Sequence, residues 1–169
     1  MVLIISTFIL MMGCQAVSSP PVPSTSQPIH VLAVQDDISS RSIEGLPPEL
    51  IKSIRTELSQ FNIQPTFSTD NNFDVRQTEH RLHSMQKPAL LIETKAEYFS
   101  QLNGRFRWVV YCKLTVVGED DTQISREFTT PVFHQFHHER EAEALVAAQD
   151  IISQELNRLM EDYLRAKLK

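Results

Sequence analysis

The feature that most constrains this chain is an Asn103-Gly104 pair set between two runs of alternating side chains. Asn-Gly accepts the positive backbone angles of a tight two-residue turn, and alternation is the period of a strand with one buried face. Across residues 89–99, Leu90, Ile92, Thr94, Ala96 and Tyr98 share one side, while Glu93, Lys95 and Glu97 occupy the other. After the turn, Phe106, Trp108, Val110, Cys112, Leu114 and Val116 share a side, opposite Arg105, Arg107 and Lys113. These runs predict an antiparallel hairpin whose apolar face needs a cover. A second turn at residues 118–121 leads into residues 123–133, where Ile124, Phe128 and Val132 point inward and extend the hairpin to a meander.

The cover is supplied by helical patterns. Pro47-Pro48 opens one in which Leu50, Ile51, Ile54, Leu58 and Phe61 recur near a 3.6-residue period, with Lys52, Arg55, Glu57 and Gln60 on the other side and Asn62 as its end. A longer one, over residues 139–167, carries the stripe Leu145, Ala148, Ile152, Leu156, Leu159 and Tyr163. Its acids Glu139, Glu141 and Glu143 start it and Arg165, Lys167 and Lys169 close it, which complements the helix dipole. The β-branched run from Ile29 to Val34 predicts a first strand, and residues 63–67 a strand interrupted by Pro65, which suits an edge. Residues 70–87 are polar, with Val75, Leu82 and Met85 as a thin apolar stripe that predicts a short surface helix. The expected fold is α+β: a small antiparallel or mixed β-sheet of about four strands with two main helices packed on one face, in the order β-α-β-β-β-α.

The N-terminal residues do not belong to such a domain. Residues 2–12 form an uncharged run too short to cross a bilayer as a helix, but of the length of a signal-peptide core. The run ends in Met11-Met12-Gly13-Cys14-Gln15. That segment resembles the bacterial lipobox, with Gly13 and Cys14 matching it and Met11 standing where leucine is usual. The resemblance implies removal of residues 1–13 and lipidation of Cys14. Residues 14–28 follow, with Pro20, Pro21, Pro23 and Pro28 among Ser18, Ser19, Ser24 and Ser26, a composition expected to serve as a tether. Residues 29–169 are then a single periplasmic domain. Gln15 after the lipidated residue, in place of an inner-membrane-retaining aspartate, implies an outer-membrane location.

Composition narrows the partners. Hydrophobic residues at 41% and charged residues at 22% are enough for one core, and a net charge of −5 without a basic stripe excludes nucleic acid. The partners expected instead are the membrane, through the lipid anchor, and an outer-membrane protein or envelope complex. His134, His137 and His138 have a spacing at which imidazoles can meet on one zinc ion. They fall where a strand passes to a helix, and no Cys or carboxylate completes the set, so a solvated junction without metal is expected. Cys112 lies on an alternating apolar run and reads as a buried hydrophobe. A serine nucleophile elbow, a phosphate-cradling glycine loop and a zinc-protease helix are absent from the sequence, so no enzyme activity and no catalytic residue are expected, and no cofactor beyond the lipid on Cys14. What remains is the sheet face away from the helices. It should carry Phe99, Val109, Tyr111 and Val117 among Arg105, Arg107 and Lys113, and Arg105, Arg107, Tyr111 and Lys113 are the expected contacts to a partner or an anionic lipid.

The order of elements is similar to that of the lipopolysaccharide-assembly lipoprotein family. The likeness rests on Leu50-Ile-Lys-Ser-Ile-Arg-Thr-Glu-Leu58 with Ile63, on Val132-Phe133-His-Gln-Phe136, and on Gln149-Asp150-Ile151-Ile152 through Leu164 and Leu168. The Gly-x-x-Leu segment common after the lipidated cysteine is missing, and residues 70–87 are a longer insertion than that pattern has. The resemblance implies a subunit that occupies an outer-membrane barrel and assists lipopolysaccharide delivery, with Arg105, Arg107 and Lys113 as lipid contacts. The alternatives are an auxiliary lipoprotein of a phospholipid transport system, or a lipoprotein regulator of a secretion or cell-wall machine.

Overall fold

The structure, a computed structural model, describes residues 27–35, 46–70, 80, 82–134 and 141–168. The expected signal segment and Cys14 lie outside the described residues. Five strands form one mixed sheet: β1 (Gln27–Gln35), β2 (Ile63–Asp70), β3 (Ala89–Leu102), β4 (Arg105–Val117) and β5 (Gln123–His134), in the spatial order β2-β1-β3-β4-β5. Helix α1 (Pro48–Gln60) joins β1 to β2, and α2 (Glu141–Ala147) and α3 (Gln149–Lys167) follow β5.

The expected hairpin is present. Asn103 and Gly104 both take positive φ, 50° and 75°, and β3 and β4 pair antiparallel from Leu102↔Arg105 down to Ala89↔Val117. The second turn opens with Gly118, whose N–H donates to the Thr122 carbonyl at 2.9 Å, and sends β5 back along β4. The α+β class and the mixed sheet stand as expected, but the count of about four strands becomes five. β2 pairs with β1 along its whole length, including Pro65 opposite Ile29. The missing N–H of Pro65 is tolerated because β2 is an edge.

Local chemistry explains the helices. Pro48 occupies the first turn of α1, where an N–H has no helical acceptor to lose, and Asn62 ends the element in the left-handed region at φ 56°. Leu50, Ile54 and Leu58, four residues apart, are fully buried against the sheet. The single C-terminal helix expected over residues 139–167 is interrupted at Ala148. There one N–H is shared between the carbonyls of Ala144 (3.1 Å) and Leu145 (3.2 Å), and the Ala148 carbonyl accepts from both Ile151 and Ile152. The ladder tightens for one turn, and the element order becomes β-α-β-β-β-β-α-α.

All three helices pack on one face of the sheet, where Ile29, Val31, Leu90, Ile92, Val110 and Leu114 meet Leu145, Ile152, Leu156 and Leu159 in one core. Across the helix layer the Ser53 and Ser153 hydroxyls are 2.6 Å apart, and Asn157 donates to Glu57. Arg126 lies on the core-facing register of β5 and reaches Asp162 (2.7 Å) and Glu155 (3.3 Å) on α3, so its charge is matched at the rim of the layer. Among the described residues, the other face is covered at one end only. A short helical stretch at residues 82–84 lays Leu82, with Met85 beside it, on Leu32, Ala89, Leu91 and Val117.

Candidate functional site

The rest of that second face is the open surface on which the expected contact residues fall. Antiparallel register sets its rows: Lys113 lies between Glu93 and Glu127, Tyr111 between Lys95 and Thr129, Val109 between Glu97 and Pro131, and Arg107 between Ser100 and Phe133. Lys113 Nζ is 3.6 Å from Glu93 and Lys95 Nζ is 2.7 Å from Glu97, so the middle rows form a screened ladder of paired charges. Tyr111 stands in this ladder 41% exposed. Val117, expected on the same surface, is instead buried under Leu82 and Met85.

Arg107 and Arg105 sit in a different environment. The pairing of β3 with β4 shifts register between Tyr98 and Ser100, so that Phe99 is the extra residue of a bulge. A bulge puts two residues opposite one, here Phe99 and Ser100 opposite Arg107. The Arg107 guanidinium lies over the Phe99 ring at 4.8 Å, while its Nε is buried without a hydrogen-bond partner. Arg105 is exposed at the hairpin turn, paired in register with the exposed Leu102. Of the four expected contacts, Tyr111 and Lys113 therefore share the charge ladder, and Arg105 and Arg107 share the apolar hairpin end.

Sequence reasoning passed over Leu102 and Phe133, which are 59% and 53% exposed. The signal for Phe133 was available: if Val132 faces inward, its neighbour must face outward, opposite Arg107. Tyr98 has the expected facing but is exposed, with its ring edge-on to Trp108 at 5.9 Å and tilted against Phe106 at 6.2 Å.

Other chemistry is sparse among the described residues. Cys112 is buried and, with desolvation as the main cause and the Glu93 charge as the lesser, its thiol is pushed up to about 12. That places it as a packed apolar group and removes it from nucleophilic work. His134 ends β5 without a described side chain, and His137 and His138 lie outside the described residues. No group of three or more His, Cys, Asp and Glu side chains among the described residues is placed to hold a metal ion. A cleft of about 170 Å³ between the β4–β5 turn and α3 is lined by Glu119, Asp120, Thr122, Tyr163 and Lys167. In it, the Thr122 hydroxyl and N–H both donate to Asp120, which holds that carboxyl below its usual value.

No protein-family model matches the sequence, and no curated protein matches it. Solved structures share a general outline with it. One is a neuraminyllactose-binding hemagglutinin homolog from Helicobacter pylori, 14% identical over 90% of this chain and 95% of that one, with a TM-score of 0.42. Others are a minor lipoprotein from Acinetobacter baumannii (14% identity, 77% and 87% coverage, TM-score 0.38) and rare lipoprotein B from Shewanella oneidensis (12%, 83% and 96%, 0.38). At these identities and scores the likenesses carry no argument about family or role.

Proposed function

We propose that this protein is a lipid-anchored, non-enzymatic accessory subunit of the bacterial cell envelope. In this reading Cys14 carries the lipid at the outer membrane, and the α+β domain stands on the periplasmic side. Its open sheet face docks on an outer-membrane protein or envelope complex. The observation that carries the reading is the sidedness of the sheet: one face is closed by three helices, while the other presents Tyr111 and Lys113 in an uncovered middle. The apolar run before Gly13-Cys14 and the Pro/Ser stretch after it support the anchor. Lipopolysaccharide assembly is the finer role, supported by the sequence likeness around Leu50, Val132 and Gln149.

Two substitutions test the parts separately. Cys14→Ser should release the chain from the membrane fraction, and unchanged fractionation would sink the anchor. A photo-crosslinking residue at Tyr111 should capture an outer-membrane barrel protein, whereas one at exposed Arg158 on the helix layer should not. Equal capture from both positions would remove the docking face, and a hydrolase activity in the purified chain would overturn the accessory role.

A further inference from the structure

The hairpin end of the sheet differs from the rest of the molecule in both apolarity and charge. β1 accompanies β3 only as far as Thr94, so β3, β4 and β5 continue beyond it as a three-stranded ribbon. Of the seven large hydrophobic side chains exposed among the described residues, four lie at the hairpin end of this ribbon: Tyr98, Phe99, Leu102 and Phe133. Scattered exposed apolar groups are ordinary, but their concentration at one end marks a contact surface. The stretch from Tyr98 to Trp108 holds two arginines and no acid, within a chain of net charge −5. Arg105 and Arg107 have no ion-pair partner among the described residues, and Arg107 keeps its apolar stem on the Phe99 ring.

Aromatic rings at the base, a leucine at the tip and guanidinium groups between them suit the boundary between water and an anionic bilayer. Tyr and Trp rings favour headgroup depth, Leu and Phe favour the acyl boundary, and long cationic side chains reach back to phosphate. The chain's net negative charge lies outside this stretch, so an anionic surface attracts the hairpin end more than the chain as a whole. We infer that the β3–β4 hairpin docks in the headgroup region of an anionic phospholipid bilayer, with Leu102 and Phe99 at the acyl boundary and Arg105 and Arg107 on lipid phosphates. No helix among the described residues is long and apolar enough to cross a membrane.

Trp108 is the chain's only tryptophan and belongs to the hairpin, so it reports on this end alone. The full chain is mixed with vesicles of phosphatidylcholine, or of phosphatidylcholine and phosphatidylglycerol in equal parts, both carrying brominated acyl chains. Quenching of Trp108 emission is expected in the anionic vesicles and not in the neutral ones, and it should be reversed by added salt. Arg105→Glu should weaken the quenching by about tenfold or more, from ~1 kcal/mol per basic residue near an anionic surface with the sign of one charge reversed. Leu102→Asp should weaken it comparably. Both residues are exposed, and an unchanged Trp108 near-ultraviolet dichroism shows that the fold is retained. Equal quenching in the two kinds of vesicle, quenching unaffected by both variants, or none in either vesicle overturns the inference. Cys14→Ser leaves the expected quenching intact, so this docking and the anchor can fail independently.

Discussion

A disulfide reagent such as dithiobisnitrobenzoate turns the burial of Cys112 into a measured rate. Cys14→Ser leaves Cys112 as the only thiol in the chain. Its thiol is pushed from 9.0 up to about 12 by burial, with the Glu93 charge adding to the effect. At pH 8 the thiolate population then falls from about one in ten to about one in ten thousand, which slows even an accessible thiol, though by less than that factor because a more basic thiolate is also the better nucleophile. The side chain is also only 2% exposed, so the reagent must wait for the strand pairs on either side to open. Labelling of the native chain should therefore be at least about a thousandfold slower than labelling in denaturant. The same shift has a second consequence with a definite sign. A folded value raised above the unfolded one adds stability that is complete below about pH 9 and lost as pH rises through about 12, to a limit of about 4 kcal/mol. The melting temperature should fall on that alkaline leg, and Cys112→Ala, though less stable at neutral pH, should show a shallower fall. Stoichiometric labelling of the native chain within seconds would refute the burial argument and make Cys112 a candidate nucleophile.

Leu156, fully buried between α3 and the sheet, should cost about 3 kcal/mol on Leu156→Ala, read from urea unfolding as a lower midpoint at an unchanged slope. The two turn glycines should respond for different reasons. Gly104→Ala has open space around it but must hold φ +75°, and a loss of about 1 kcal/mol is expected from conformation alone. In Gly118→Ala the new methyl would stand 2.7 Å from Asp120 Oδ1 and 3.2 Å from the Tyr163 ring, so a structure of the variant should show the carboxylate displaced from Thr122. Thr122→Val should raise the Asp120 pKa towards the ordinary carboxylate value, as followed by NMR titration, since the Thr122 hydroxyl is its main stabiliser.

What could be read ahead of the structure was what local periodicity encodes. β3 and β4 have one face against helices, so each inward residue from Leu90 to Ala96 and from Trp108 to Val116 is marked by its alternation. The ends of α1 were equally plain, because Pro48 and Asn62 have backbone reasons for their places. The break at Ala148 was not legible: no Gly or Pro marks it, and the stripe from Leu145 to Leu156 runs through it without a change of period. Placing β1 between β2 and β3 depends on pairing segments far apart in the chain, which no local pattern reports. The division of the contact surface was hidden for a similar reason. Phe99 and Arg107 were expected on one face, but the shift after Tyr98 that sets Ser100 opposite Arg107 and Leu102 opposite Arg105 carries no glycine to announce it.

The parallel pairing of β1 with β3 gives the domain the properties of a strut. The chain enters the sheet at Gln27 beside the foot of β3, and the Asn103-Gly104 turn caps the far end of the same strand. At ~3.3 Å per residue along the strands the two poles stand roughly 55 Å apart. The reach of the hairpin is thus a strand-length variable that can be edited. Adding two residues to each of β3 and β4 near the turn moves the tip outward by ~7 Å with every side chain keeping its facing, whereas adding one to each exchanges the faces of the tip.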